Sequence, residues 1–509
     1  MVLDNDFGTY GRTLTNFGPG ENSLSSLALQ SDGKILAAGS YMYSEGSPNE
    51  VALSRYNPNG SIDTTFGQNG KFLSFFGTEL ENEHNIVRVQ SDGKILLAAT
   101  HGSFSNYHFV LIRLTESGNL DTTFGTNGFV ISSLNNDTNR LTSMEILPDG
   151  KVILAGYTSG PSTNEYPNFI IAKYNADGSL DTTFGNNGYT VQNFGTVSNI
   201  LANTEDSLSS IKIQPDGKIL AAGFSYAETG NFGGLNFALL RLNADGSPDD
   251  GFGTNGRVIA DFGQGESISN IQLLPDGKIL AIGQSYSEND ESIEIIVAKF
   301  NSNGTIDESW ATSGSIKIGN RPNSEVFAFS SVLQADGKLI VVCSGLNEDY
   351  DIIMLRLTVS GLPDETFGNG GFLSTDFNTN EGGYTAIMQP DGKLLVGAGS
   401  EENGRNYFSV LRYESTELSV PIFNRKQISV YPNPFINEIN VNIETVSNEN
   451  VNFDLYDING RKIISLFSKM AVTSGKHSQK VQLPQTLSKG VYFLNISIGQ
   501  SSRTIKIIK

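Results

Sequence analysis

The triplet Asp-Gly-Lys occurs seven times, beginning at Asp32, Asp92, Asp149, Asp216, Asp276, Asp336 and Asp391, each time between two short apolar runs. The intervals are 60, 57, 67, 60, 60 and 55 residues, so one supersecondary unit is copied along most of the chain. In the first copy Ser26–Gln30 and Lys34–Ser40 flank Asp32-Gly33, the dipeptide of a tight two-residue hairpin whose central residues both take positive φ. Val51–Tyr56 reads as a third strand. The turn Asn57-Pro58-Asn59-Gly60 and the segment Asp63-Thr64-Thr65-Phe66-Gly67 then lead into a fourth, Lys71–Phe76. Four strands per period define a propeller blade. No stretch has sustained helical periodicity, and the 55 glycines suit a chain of hairpins.

The two ends of the array complement each other. Asp4–Gly8 matches Asp63–Gly67 and is followed by a fourth-strand segment, Gly11–Phe17, while the last copy stops after its third strand, Ser409–Tyr413. The N-terminal strand is expected to complete the final blade, closing a seven-bladed ring and removing its exposed edges. An open solenoid would need capping units at both ends.

Composition narrows the function classes. Residues 421–509 carry 11 Lys+Arg against 5 Asp+Glu, which leaves 23 against 49 in residues 1–420, a net of −26. So acidic a ring argues against a nucleic-acid partner. No run of 18 apolar residues exists, so no membrane-spanning helix is expected. Cys343 is the only cysteine; it falls in an apolar run and reads as a small buried hydrophobe, so neither disulfides nor cysteine metal sites are expected.

The pattern changes near the C-terminus. Residues 1–414 form the ring and 415–427 read as a linker. From Ile428 a second pattern begins, with Tyr431-Pro432-Asn433-Pro434-Phe435, then Glu438–Ile443 and Phe453–Tyr456 as strands, then the turn Asp457–Lys462, and later Gly490–Leu494 and Arg503–Lys509. About seven short strands in some 80 residues suggest a small Ig-like β-sandwich.

Two families are resembled. Residues 428–509 resemble the type A C-terminal sorting domain of the Bacteroidetes type IX secretion system in their Tyr-Pro-Asn-Pro opening, Leu455–Arg461 middle, Gly490–Leu494 block and basic final strand. The resemblance implies export across the outer membrane, partnership with the secretion machinery and a sortase-like peptidase, and a secreted or outer-surface location. The ring resembles the delta-60 repeat family in Gln214–Leu220 and Asp181–Gly185, which implies a fold and hardly a function. Met1–Asp4 has neither the basic nor the apolar region of a signal peptide, so the leader that type IX cargo needs is expected upstream or already trimmed.

Repetition filters the candidate sites. Arg55, Arg113, Lys173, Arg241, Lys299, Arg356 and Arg412 recur at one third-strand position, and Asp63, Asp121, Asp181, Asp249, Asp307 and Asp364 recur in the turn that follows. They are expected to form a structural ion pair or a carboxylate-to-backbone cap in each blade, because a ligand-binding ring of arginines would be neutralised by the aspartates. Phe66, Phe124, Phe184, Phe252, Trp310, Phe367 and Phe7 share one site, expected to be an aromatic wedge between blades. The segment Asn175–Asp181 has the oxygens of a calcium loop but lacks the bidentate Glu, and reads as a plain turn. The four histidines show no metal-helix or relay spacing. No catalytic, metal or cofactor site is expected.

Propeller topology places the second-to-third-strand loops on one face, and these loops differ between blades. They supply the candidate ligand-binding residues Tyr43, Glu45, His101, Tyr166, Tyr226, Glu228, Tyr286, Glu288, Asp349 and Glu402. Aromatic faces cover sugar C–H surfaces while carboxylates and amides fix hydroxyls, so a glycan or protein ligand is expected there; acidic, Tyr-bearing loops also serve merely to keep a protein soluble. The expected function is a non-enzymatic exported interaction module. The alternative is a polysaccharide hydrolase or lyase using a carboxylate pair such as Glu228 and Glu288.

Overall fold

The computed structural model describes all residues except 45–46, 75–84, 104–105, 135–137, 160–166, 196–204, 227–233, 264, 288–291, 320–324, 347–349, 378, 403, 415–427, 446–448, 458–460, 474 and 499–500. The chain divides into two compact units, one of Met1–Gln389 and Lys393–Glu414, the other of Ser415–Lys509 with Pro390–Gly392.

The first unit consists of seven antiparallel sheets in chain order. In blade one these are β3 (Glu21–Leu29), β4 (Ile35–Met42), β5 (Asn49–Tyr56) and β6 (Lys71–Ser74). The two middle strands of a blade are buried on both faces, which is why Ile35–Ala38 and Val51–Leu53 read as unbroken apolar runs. Their side chains form cores between blades: Leu36, Ala38, Leu53 and Phe66 pack in one cluster with Ile95, Leu97, Val110 and Ile112 of blade two.

The hairpin at each Asp-Gly-Lys differs from the two-residue turn expected. Gly33 takes φ +86°, but Asp32 is not among the positive-φ residues. Gly33 N–H donates to Gln30 O at 3.0 Å and Gln30 N–H to Lys34 O at 2.9 Å. The loop therefore holds three residues, with the glycine alone left-handed, and Asp32 Oδ1 accepts from Lys34 N–H at 3.1 Å. This is the longer hairpin that ends in a left-handed glycine. First strands also start earlier than the apolar pattern indicates, because polar Glu21–Ser23 still pairs with β4 beyond a bulge at Ser25.

The seventh sheet joins the two ends of the chain. Its strands are β27 (Glu381–Met388), β28 (Leu394–Glu402) and β29 (Arg405–Glu414). β1 (Val2–Leu3) and β2 (Arg12–Thr15) both pair with β29, Leu3 opposite Tyr413 and Arg12–Thr15 opposite Leu411–Phe408. The first strands of neighbouring blades pack together around the ring, β27 against β3 included. The N-terminal segment thus supplies the missing outer strand, as its sequence match to Asp63–Gly67 implies.

The second unit has two sheets. One orders β30 (Ile428–Tyr431), β31 (Glu438–Thr445) and β34 (Gly475–Gln482); the other orders β33 (Lys462–Val472), β32 (Glu449–Tyr456), β35 (Val491–Ile498) and β36 (Ser501–Ile508). Ile439, Val441, Phe453, Leu455, Leu494, Ile496 and Ile507 fill the space between them.

Candidate functional site

The residues shared by every blade build a clasp between blades. Arg55 Nε donates to Asp63 Oδ2 at 2.8 Å, and Lys34 Nζ lies 3.2 Å from the same oxygen. Asp63 Oδ1 accepts from the Thr65 N–H at 3.1 Å and from its hydroxyl at 2.6 Å. Burial alone would raise the Asp63 pKa, but the Thr65, Lys34 and Arg55 donors outweigh it and bring it to about 2. Arg55 also stacks 4.5 Å over Phe66 and donates through Nη1 to Glu116 O in blade two. Phe66 lies against Gly118 of that blade, where a Cβ would stand 2.6 Å from its ring, and Gly67 N–H donates to Ser117 O.

The next blades repeat this geometry. Arg113 meets Asp121 at 2.8 Å, stacks on Phe124 and reaches Ala176 O. Lys151 and Lys173 share Asp181, Lys173 lies over Phe184, and Lys173 Nζ donates to Ala244 O. The pairing is ion pair and cap at once. The repeated lysine of Asp-Gly-Lys is its third member, a role that its recurrence in all seven copies could have signalled.

Of the loop residues that the sequence singles out, Glu45, Tyr166, Glu228, Glu288 and Asp349 lie outside the described residues. Tyr43 and Tyr286 are exposed. Tyr226 is half-buried opposite Glu205. His101 stands opposite His108, whose pKa burial lowers. Glu402 Oε1 accepts from Arg12 Nη2 at 2.6 Å. These five side chains sit on five different blades rather than in one constellation.

A cavity of about 400 Å3 opens instead where blades six, seven and one meet on the same face. Its walls come from β23 (Val326–Leu333), β24 (Leu339–Leu346) and β25 (Tyr350–Leu357) of blade six, and from β27–β29 and β3. Phe327, Phe329, Tyr350 and Tyr384 line it together with Asn22, Asn380 and Asn406. Phe329 lies 6.4 Å from Phe327 and 5.3 Å, edge to face, from Tyr384.

Two of these aromatics, Phe329 and Tyr384, occupy the bulge that recurs in first strands. The bulged residue is Ser25, Thr142, Ser209 and Ser269 in blades one, three, four and five, but Phe329 and Tyr384 in blades six and seven. The residue before it shrinks in compensation, from Leu24, Leu141, Leu208 and Ile268 to Ala328 and Gly383. In blade one Ser23 pairs with Ser40; the corresponding pair in blade seven is Gly382 and Gly399. A Cβ on Gly382 would stand 2.5 Å from the Tyr384 hydroxyl, so the phenol ring takes up the space that the glycines free.

The polar wall is held by its own hydrogen bonds. Asn22 Nδ2 donates to Asn406 O at 2.8 Å, Asn406 Nδ2 to Glu21 Oε2 at 2.6 Å, and Asn380 Nδ2 to Glu401 Oε2 at 3.0 Å. Glu381 is fully buried; its carboxylate accepts from Phe377 N–H at 3.3 Å and from the Thr379 hydroxyl, and burial raises its pKa. Asn22, Asp206 and Glu266 accept the corresponding Phe17, Phe194 and Phe262 N–H groups, so Glu381 braces a crossover as its counterparts do. Asp351, Asp376 and Glu381 each place one oxygen within 4.8 Å of the others, close enough to share a hard cation.

A closed ring of near-equivalent blades, with an aromatic and amide-lined cavity on its variable face, together with a β-sandwich, defines a repeat-built propeller with an appended module. Segments 30–66, 90–124, 147–184, 214–252, 274–309, 334–367 and 389–416 match the family "Domain of unknown function (DUF5122) beta-propeller", and residues 429–509 match the "Secretion system C-terminal sorting domain". The chain carries seven of these propeller repeats and one such sorting domain. That domain marks it for export to the exterior or the outer cell surface and for contact with the secretion machinery. Among the described residues no helix is long and apolar enough to cross a membrane.

Solved structures of similar fold include the polysaccharide lyase Uly1, at 11% identity, 80% of this chain, 92% of that one and TM-score 0.47. They also include Drosophila Semaphorin 2a, at 10% identity, 96% of each chain and TM-score 0.42. A third is the α-L-arabinofuranosidase Arb93A from Fusarium graminearum, at 12% identity, 66% of this chain, 94% of that one and TM-score 0.41. No curated protein sequence matches the chain significantly.

Proposed function

We propose that this protein is an exported, non-enzymatic binding module: the sorting domain delivers the propeller outside the cell, and the variable-loop face engages a ligand. The observation that carries this reading is the cavity between blades six, seven and one, a place where the repeat abandons its own pattern. A scaffold needs only equivalent blades, whereas a site needs a departure from equivalence. The cavity's walls are aromatic rings and amides, equipment for holding a molecule. Its lining carboxylate, Glu381, is engaged by two protein donors and so lacks the free geometry of a general acid or base.

The test incubates the purified chain with a panel of polysaccharides and oligosaccharides, and measures both retention and product formation. Retention of one of them unchanged is the expected result. New reducing ends or unsaturated products would instead establish the hydrolase or lyase alternative.

A further inference from the structure

We infer that the cavity between blades six, seven and one is a site for a short neutral saccharide, an assignment that rests on the binding-module reading and narrows it. Phe327, Phe329 and Tyr384 form a chain of rings along one wall, and Phe329 and Tyr350 remain 39% and 38% exposed. Open ring faces attract the C–H faces of a pyranose, which are apolar and flat. Asn380 and Asn406 already commit their Nδ2 donors to Glu401 and Glu21. Each of those amides is therefore fixed in orientation; Asn380 Oδ1 already accepts from the Tyr350 N–H at 3.4 Å and keeps one lone pair for a sugar hydroxyl, and Asn406 Oδ1 has acceptor capacity as well.

Charge selects within the saccharides. Among the described residues no Lys or Arg lines the cavity, so a uronate or sulfate ester would enter an acidic ring with no counter-charge from them. The lining carboxylate of Glu381 is buried and satisfied by Phe377 and Thr379, with the Arg12 guanidinium close by, 4.0 Å over the Phe377 ring. Glu381 is thus held by the protein itself, and a cationic ligand would have to compete with those donors for it. A volume of about 400 Å3 lies in the range of small-molecule pockets, about 300–1,000 Å3, and suits a short saccharide.

The experiment titrates the full chain by calorimetry with maltotetraose, cellotetraose, xylotetraose and mannotetraose, and with oligogalacturonate and tetramethylammonium as charged comparators. Phe329→Ser installs the residue of blades one, four and five at a partly exposed position. Tyr350→Ser changes a second wall on a different strand, and a melting curve of each variant checks folding. One neutral tetraose is expected to bind, and both variants to weaken it at least tenfold. Binding of a neutral tetraose that neither variant alters would overturn the assignment of the cavity while leaving the binding module standing. Binding of only the charged probes, weakened by the variants, would overturn the ligand class. No binding by any probe would overturn the inference as a whole.

Discussion

Arg412 Nε donates to Asp4 Oδ2 at 2.7 Å, a contact between residues 408 apart in sequence. Lys393 Nζ reaches the same oxygen at 2.6 Å, and Arg412 lies 4.6 Å over the Phe7 ring. Asp4, Phe7, Lys393 and Arg412 thus reproduce in the closing blade the clasp that Asp63, Phe66, Lys34 and Arg55 make in the first. Arg412 Nη1 also donates to Pro58 O of blade one, so one side chain ties the last third strand to both the N-terminal segment and the first blade.

Asp4 is 2% exposed, and its removal leaves two cations facing an empty site. Losing one partner of a buried pair costs about 3–5 kcal/mol, so Asp4→Ala is expected to lower propeller stability by that order in chemical denaturation. Arg461 is 84% exposed beside Asp457, and Arg461→Ala is expected to change stability by less than about 0.5 kcal/mol.

The clasp aspartates set the acid limit. Lysine and hydroxyl donors hold Asp181 and Asp307 at about 2, and the Lys218 and Arg241 donors outweigh burial to hold Asp249 at about 2. A carboxylate depressed in the folded state contributes stability that is complete above its unfolded pKa, near 3.8, and lost as pH falls through its folded pKa. Melting temperatures of the propeller are therefore expected to hold from pH 7 to about 4.5 and to fall steeply between about 4 and 2.

Gly178 has φ +91°, and a Cβ there would stand 2.7 Å from Val130 Cγ2 and 2.9 Å from the Phe124 ring. Gly263 has φ +88° and nothing within 4 Å of the same point. Left-handed backbone costs a non-glycine residue about 1–2 kcal/mol. Gly263→Ala is expected to lose that amount, and Gly178→Ala more, because the inter-blade wedge must also move; paired denaturation curves check the order.

Cys343 is fully buried, paired in register with Ala328 and Ile353, and burial pushes its thiol pKa far above the ordinary range. The native chain is expected to resist an aromatic disulfide reagent for hours and to release one equivalent per chain on unfolding in denaturant.

The ring was legible in the sequence because its period is written in backbone chemistry. Asp-Gly-Lys recurs wherever a hairpin needs a left-handed glycine, and Asp4–Gly8 carries the turn that the last blade lacks. The loop length at Gly33 was not legible, since Asp-Gly also serves a three-residue loop in which Asp32 keeps ordinary φ. The cavity is not legible in the connecting loops, where the blades differ most visibly. The signal stood in the first strands, where Phe329 and Tyr384 replace serine and threonine while Ala328 and Gly383 replace leucine and isoleucine. A large-for-small exchange beside a small-for-large one keeps core volume and moves the aromatic ring to the cavity wall, a change that hydrophobic patterning alone does not register.

Blades six, seven and one enclose the cavity only while the N-terminal segment stays paired in blade seven. Amide hydrogen exchange of β2 measures that pairing directly. Arg12–Thr15 are expected to exchange as slowly as Arg257–Ala260, the fourth strand of blade four, whose connection to its blade is continuous. Exchange of Arg12–Thr15 at the rate of an unpaired chain, with Arg257–Ala260 still protected, would contradict the closed ring.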